Sequence, residues 1–297
     1  MLDFKKAELD DLPLLRTYFA QANGRLCDET PGVFFMWRNH YAGSYAIRDG
    51  QLFLRYEAEL GTEDTAFAIL SGAPVEPGIR AIREHCREQK LPIIISTVSE
   101  ETLEEIRARF TILEAEQNDD WSDYLYDAAN MIELKGSSFG GQRNHIHQFR
   151  RKFPDAFCAV IDEKNLAEAK QFLIDYESLA PLKTEQAHQE LHMTLDILDH
   201  YALFGMDGLL LYTEPGKICG LSLGENLGDT MYIHVEKALR DVPGCYPALT
   251  NQYARHFITP EIRYINREED LGEPGLRRSK QSYHPVKMLK KYLLTLA

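Results

Sequence analysis

Two stretches of the chain collect residues that could hold an anionic ligand and move a proton beside it. The first is KGSSFGGQRNHIHQFRRKFP, residues 135–154. Within it, residues 142–152 carry four cations (Arg143, Arg150, Arg151 and Lys152) and no acid. Read as a helix, Ile146, Phe149 and Phe153 form one stripe, and Arg143, His147, Arg150 and Arg151 fall on the opposite side within a turn or two of one another. Arginine grips phosphate oxygens through a forked pair of N–H donors. Asn144 stands at the helix start, as a ligand contact or as a cap. Gly136, Gly140 and Gly141 leave room for close backbone approach. The second stretch is YINREEDLGEPGLRRSKQSYHPV, residues 264–286. Asn266, Arg267, Glu268, Glu269 and Asp270 follow a strand pattern there, and ligands of open α/β sheets collect beyond strand carboxyl ends. Transfer of an acyl group needs a base for the acceptor's proton, a role open to Glu268, Asp270 or, on a neighbouring strand, Glu236. Asn266 could orient a carbonyl, Arg278 or Lys280 could neutralise an oxyanion, and Tyr283 could protonate a leaving group. The plainer alternative is a solvated basic helix and a capped, ion-paired turn.

The charge balance frames these stretches. The net charge is −13, which argues against general coating of nucleic acid. Residues 263–291 nevertheless hold eight cations against four acids, so two cationic patches stand out of an acidic background. The five cysteines (Cys27, Cys86, Cys158, Cys219, Cys245) are scattered, without metal spacing, and read as reduced thiols of a cytoplasmic protein. No apolar run is long enough to span a bilayer, and the N-terminus lacks the pattern of a signal peptide. His188 and His192 have helical zinc spacing, but the order is H-Q-E-L-H and no third ligand is evident, so no metal is expected. No phosphate-binding Walker loop and no dinucleotide fingerprint is present.

The elements that must position these residues alternate between helix and strand. A helix is expected over 7–20, strands over 44–48, 51–56 and 65–70, a hairpin turn at Asp49-Gly50 and a break at 61–64. A helix near 77–90, a strand at 91–97, a helix capped by Ser99, and strands near 111–115 and 123–126 follow. The second half repeats the order: helices over 164–181 and 184–204, a three-strand meander over 208–238, a helix over 247–258, a strand at 262–266 and a helix-rich tail. At 297 residues two domains are expected, 1–135 and 136–297, the second carrying the site. No flexible linker separates them.

A meander, a helix and then a strand resemble the acetyltransferase-like (GNAT) fold. In it the meander's last strand splays from the strand after the helix, and the acyl donor lies in the gap. The resemblance places the donor's phosphate at the helix N-terminus, here residues 242–247, where free N–H groups favour an anion. Of the usual glycine-rich phosphate loop only Gly244 is present, between two prolines that lack backbone donors. Residues 135–154 and 264–286 together resemble an uncharacterised bacterial family related to the C-terminal domain of phosphatidylglycerol lysyltransferases, akin to the Fem peptidyltransferases. The resemblance covers essentially the whole chain. It implies two tandem GNAT-like domains, each a mixed, mostly antiparallel sheet flanked by helices. It also implies transfer of an aminoacyl group from charged tRNA to an amine or hydroxyl, with a small-molecule, peptide or lipid-headgroup acceptor. An acyl-CoA-dependent N-acyltransferase and a non-catalytic binding protein on the same fold are the alternatives. No tightly bound cofactor is expected beyond the donor itself, aminoacyl-tRNA or an acyl-CoA thioester.

Overall fold

The computed structural model describes residues 1–57, 64–179 and 185–297. In chain order the first elements are β1 (Lys5–Lys6), α1 (Leu12–Phe19), α2 (Pro31–Trp37), β2 (Ser44–Arg48), β3 (Gln51–Glu57) and β4 (Thr65–Ile69). Then come α3 (Val75–Gln89), β5 (Ile93–Val98), α4 (Glu100–Arg107), β6 (Ile112–Gln117), β7 (Asp123–Asp127), α5 (Ala128–Glu133) and α6 (Gly140–Lys152). The next group is β8 (Phe157–Val160), α7 (Leu166–Leu179), α8 (Glu185–Asp199), α9 (Tyr201–Phe204), β9 (Asp207–Glu214), β10 (Lys217–Leu227) and β11 (Thr230–Ala238). The last are α10 (Cys245–Phe257), β12 (Tyr264–Asn266), α11 (Pro274–Gln281), β13 (Lys287–Leu289) and β14 (Tyr292–Leu296). No helix among the described residues is long and apolar enough to cross a membrane.

The chain forms two compact units. One comprises residues 1–124, 268–277 and 287–297, and the other residues 125–267 and 278–286. The chain therefore returns to the first unit twice after leaving it, which a single cut near 135 does not convey. The physical reason lies at the C-terminus. The expected helix-rich tail is helical only at α11; it ends in β14, an apolar run inserted antiparallel between β5 and β6. A five-residue apolar segment is too short for a stable helix and long enough for a strand buried on both sides.

In the first unit the sheet runs β1-β2-β3-β4-β5-β14-β6. The β2–β3 hairpin turns on Asp49 (φ 53°) and Gly50 (φ 76°), both left-handed as its right-twisted strands require. Ser99 caps α4, its hydroxyl accepting the Thr102 N–H at 3.2 Å. Parallel strands β4 and β5 are joined through α3, whose Ile79, Ile82 and Cys86 pack into a core with Phe53, Phe67, Ile95 and Leu294. The first helix begins at Leu12 rather than residue 7, because residues 9–11 wind as a 3-10 turn ahead of Pro13. Helix α2, capped by Thr30, was not expected from the sequence. Residues 61–63 of the expected break, and the junction at 180–184 between two expected helices, lie outside the described residues.

In the second unit the strands run β7-β12-β11-β10-β9-β8, with β11 and β12 parallel and their neighbours antiparallel. Successive residues of β11 point to opposite faces. Thus Glu236 meets Thr250 of α10, while Lys237 pairs with Glu190 of α8 at 2.8 Å. Helix α10 lies close on β10 at Gly220, where an added methyl would meet Leu249 at 3.1 Å; at Gly224 one would collide first with the Tyr232 carbonyl of the adjacent strand.

One buried ion cluster holds the first unit's late segments. The Lys291 ammonium is 2.6 Å from Asp28, 2.8 Å from Asp123, 3.1 Å from Glu269 and 3.3 Å from the Cys27 sulfur. Cys27, Asp123 and Glu269 have ligand atoms close enough together to hold a metal ion, and the lysine ammonium stands within reach of all three. Burial works against the lysine's charge, but Asp123 and Asp28 outweigh it and hold its pKa well above the usual value. Burial likewise pushes Asp123 up to about 6 despite Lys291. Lys291→Met leaves these carboxylates without their cation and is expected to cost about 3–5 kcal/mol in urea unfolding at neutral pH. A carboxyl whose folded pKa exceeds its unfolded one stabilises the fold at low pH and loses that contribution as pH rises through the folded value. Without the lysine the Asp123 carboxyl is pushed higher still, so the deficit should narrow as pH falls toward about 6, where the carboxyl takes up its proton in either protein. A loss under about 1 kcal/mol, or one independent of pH, contradicts this role for Lys291.

Candidate functional site

Strands β11 and β12 stay paired for three residues only, Thr230 to Tyr232 against Tyr264 to Asn266. Beyond that, β11 continues along β10 to Ala238 and leaves β12 behind. A notch opens between two parallel strands, and one ion pair spans it. Arg267, the first residue past β12, donates from Nε and Nη2 to Glu236 Oε2 at 3.0 and 2.5 Å. The other carboxylate oxygen accepts from the Thr250 hydroxyl at 2.7 Å. The Arg267 guanidinium lies 4.9 Å from the Tyr283 ring centre and 6.0 Å from that of Tyr126. The Tyr126 hydroxyl donates to the Lys280 carbonyl at 2.8 Å, and Lys280 Nζ donates to the Arg267 carbonyl. Gln142 of α6 fixes the same segment by donating to the Ser282 carbonyl at 2.6 Å.

Arg267 is 7% exposed, yet its Nη1 has no hydrogen-bond partner. A buried donor without a partner is costly, and a guanidinium more so than a neutral group. Burial opposes the charge, and Glu236 more than offsets it, so the guanidinium stays protonated at any ordinary pH. Burial also pushes the Tyr283 phenol up to about 12, which leaves a neutral hydroxyl. Ser222 sits opposite Glu236 in the β10–β11 register, fully buried, with its Oγ also unpartnered. The second unit thus holds an ionised, fixed arginine with a buried, unpartnered pair of N–H bonds beside the strand splay. Such a group can bind a carbonyl oxygen and hold the negative charge that develops on it.

The residues singled out in the sequence fall into separate places. Glu236, Lys280 and Tyr283 line the Arg267 environment, and Asn266 is fully buried at the last position of β12. Glu268 and Asp270 belong to the first unit. Glu268 takes a left-handed φ of 58° and its carbonyl accepts the Tyr124 N–H. Asp270 accepts from the Tyr124 hydroxyl, from Nε and Nη2 of Arg277 at 2.8 Å each, and from Gly272 N–H at 2.9 Å. Burial raises its pKa, but Arg277 and Tyr124 prevail and hold it below the usual range. Both of its oxygens are occupied in bracing a turn. Arg278 is exposed. Arg143 turns to the loop before α6, donating to the carbonyls of Leu134 and Gly136. Asn144, His147, Arg150 and Arg151 instead line an open hollow of about 450 Å³. Arg267 itself carried no role in the sequence reading. Its signal, an arginine just past a strand and facing a carboxylate on the next one, depends on a register that no local pattern reveals.

Gly244 has a packing task. It precedes α10 with φ 75°, and a methyl group there would collide with the His145 carbonyl oxygen and lie 3.2 Å from Phe149 Cβ. Helix α6 is therefore seated against the turn where the acetyltransferase resemblance puts a pyrophosphate, and it presents a carbonyl oxygen to that turn. An anion is disfavoured beside such an oxygen.

These features define an acyltransferase-like α/β fold. Residues 19–295 match the family described as phosphatidylglycerol lysyltransferase, C-terminal. The chain belongs to that family. A structure from Bacteroides thetaiotaomicron of a conserved protein of unknown function superposes with TM-score 0.92 at 26% identity, over 100% of both chains. That of L-PGS from Bacillus licheniformis gives TM-score 0.64 at 14% identity, covering 98% of this chain and 93% of that one. An uncharacterized protein of Mycoplasmoides gallisepticum is 24% identical over 178 residues, which are 58% of this chain and 56% of that relative's length.

The packing of Gly244 is checked by Gly244→Ala against Gly216→Ala, which has a similar φ of 78° but open space around it. Both incur the left-handed strain of about 1 kcal/mol. Gly244→Ala should lose at least about 1–3 kcal/mol more, as overpacking does. Equal losses contradict the close approach of α6.

Proposed function

We propose that this protein transfers an aminoacyl group from charged tRNA to an amine or hydroxyl acceptor at the notch between β11 and β12. The observation that carries this reading is the unpartnered, buried Nη1 of Arg267. The ester carbonyl of the donor accepts a hydrogen bond from that nitrogen. The acceptor's nitrogen or oxygen attacks the carbonyl carbon, and the oxygen becomes an oxyanion beside the guanidinium. Collapse breaks the bond to the ribose oxygen, which takes up the proton the acceptor gives up. Glu236 is a positioning residue, since it fixes the arginine's plane through Nε and Nη2 and is itself held by Thr250. Family membership supports the aminoacyl donor. The seating of α6 on Gly244 counts against acyl-CoA, whose pyrophosphate would need that turn.

The test is label transfer from radiolabelled aminoacyl-tRNA to a panel of phospholipid, peptide and small amine acceptors. Arg267→Lys keeps the charge but loses the fork and is expected to lower kcat about 100- to 1000-fold with a smaller change in KM. Unchanged transfer in Arg267→Lys and Arg267→Ala overturns the site. Transfer from acyl-CoA thioesters but not from charged tRNA overturns the donor.

A further inference from the structure

The ion cluster of the first unit contains a thiol that its charges do not require. Cys27 opens a 3-10 turn, and its N–H donates to Asp123 Oδ2 at 2.7 Å, which fixes the backbone there. Its sulfur lies 3.3 Å from the Lys291 nitrogen. Sulfur is a weak acceptor, so an ammonium gains little from it beside three carboxylates. What the contact does provide is a nucleophilic nitrogen held against an oxidisable sulfur. Both residues are buried, but the Asp28 and Glu269 side chains around them are 19% and 25% exposed. The pair therefore lies one side chain below solvent, within reach of a small molecule and out of reach of a large one. The thiol faces Asp123 at 3.4 Å, Glu269 at 3.5 Å and Asp28 at 3.6 Å. Burial, and then Asp123, hold its pKa well above the usual value, so the thiol rests protonated and unreactive. The same carboxylates stand ready to accept a proton from the thiol or from the lysine, and Asp123, pushed up to about 6, holds one well. Cys219 and Cys245 differ, since their thiols donate to backbone carbonyls.

We propose that Cys27 and Lys291 form an oxidative crosslinking site, at which hydrogen peroxide converts the thiol to a sulfenic acid and the lysine nitrogen then bonds to its sulfur. In the first step the sulfur attacks one peroxide oxygen. An S–O bond forms, the O–O bond breaks, the sulfur is oxidised by two electrons, and the peroxide's other oxygen leaves as water with the thiol's proton. In the second step the ammonium passes one proton to Asp123, and its freed lone pair attacks the sulfur. An S–N bond forms and the S–OH bond breaks. The hydroxyl leaves as water with a second proton from the nitrogen, which keeps its third hydrogen. No further oxidant is consumed. The link replaces a charge contact with a covalent bond between residues 27 and 291 and cancels the ammonium. It ties the entry to β14 to the turn before α2, and a thiol reductant reverses it by attack on the sulfur. The site stands wholly in the first unit and does not rest on the transfer reading.

The experiment treats the reduced, full-length protein with graded hydrogen peroxide, removes the peroxide with catalase, and caps the remaining thiols with an alkylating agent under denaturing conditions. Peptide mass mapping follows. The wild type should yield a linked pair of peptides, one holding Cys27 and the other Lys291, about 2 Da lighter than their sum. Dithiothreitol should separate them. A linked pair that retains one oxygen, about 14 Da heavier than the sum, also upholds the site. Cys27→Ser keeps the charges and should give no link. Lys291→Arg keeps the cation but offers a guanidinium that stays protonated. It too should give no link, and its unprotected Cys27 should proceed to sulfinic and sulfonic acid. Circular dichroism melting checks that both variants are folded. If Lys291→Arg is not, wild-type protein unfolded in urea before peroxide serves in its place and should give no link, because the contact is gone. Cys27 carried to sulfinic or sulfonic acid in the folded wild type without a link overturns the proposal. So does a Cys27 thiol still open to alkylation at the highest peroxide concentration that leaves the protein folded, or a link that forms equally well in the unfolded chain.

Discussion

A charge buried across a gap between two strands is the constraint on which the second unit turns. Strands β11 and β12 pair over three residues and then part. A splay of this kind leaves backbone polar groups without a ladder partner. The Glu236–Arg267 pair joins the strands there through side chains, and its neighbours hold it in place. Thr250 holds the carboxylate, Tyr283 and Tyr126 stack about the guanidinium, and the Lys280 ammonium fixes the arginine's own carbonyl. Gly220 on β10 leaves room for α10, which carries Thr250. Buried ion pairs rarely add net stability, because desolvation consumes most of the attraction. What this one fixes is orientation, with two of the guanidinium's nitrogens engaged and the third left as a donor.

The first unit solves a different problem with similar means. Its sheet is completed by β14, which is far in sequence from the strands β5 and β6 it joins. Lys291 stands just before β14 and is surrounded by Asp28, Asp123, Glu269 and Cys27. These residues come from parts of the sequence far apart, so the cluster ties the segment before β14 to earlier segments of the unit. Asp270, braced by Tyr124 and Arg277, does the same for the turn after Glu268.

Much of this was legible in the sequence wherever the signal was local. Asp49-Gly50 marked its hairpin because only left-handed backbone makes that turn, and Ser99 marked a helix start because its hydroxyl replaces a missing acceptor. The meander, the helix after it and the parallel strand were likewise visible as apolar periodicity, and residues 135–154 and 264–286 pointed to the right family. What was hidden depended on pairing between distant segments. The tail's final strand reads as a short apolar run until β5 and β6 are there to receive it. The acids of residues 268–270 looked equivalent to Glu236, and nothing local showed that Asp270 answers to Tyr124, 146 residues away. Arg143 looked like a member of the basic face, but the carbonyls of Leu134 and Gly136 claim it. Gly244 looked like the remnant of a phosphate loop, whereas the His145 carbonyl explains it.

In the proposed reaction a single guanidinium nitrogen in the β11–β12 notch stabilises the reacting carbonyl, and chemical rescue tests that role most directly. Arg267→Gly removes the side chain, and single-turnover aminoacyl transfer is measured as free guanidinium is added at concentrations too low to unfold the protein. The expected result is a slow variant whose rate rises saturably with guanidinium and rises less with ammonium, which lacks the fork. A variant as fast as the wild type, or a slow one that guanidinium and ammonium leave equally unmoved while the fold is intact, would contradict it.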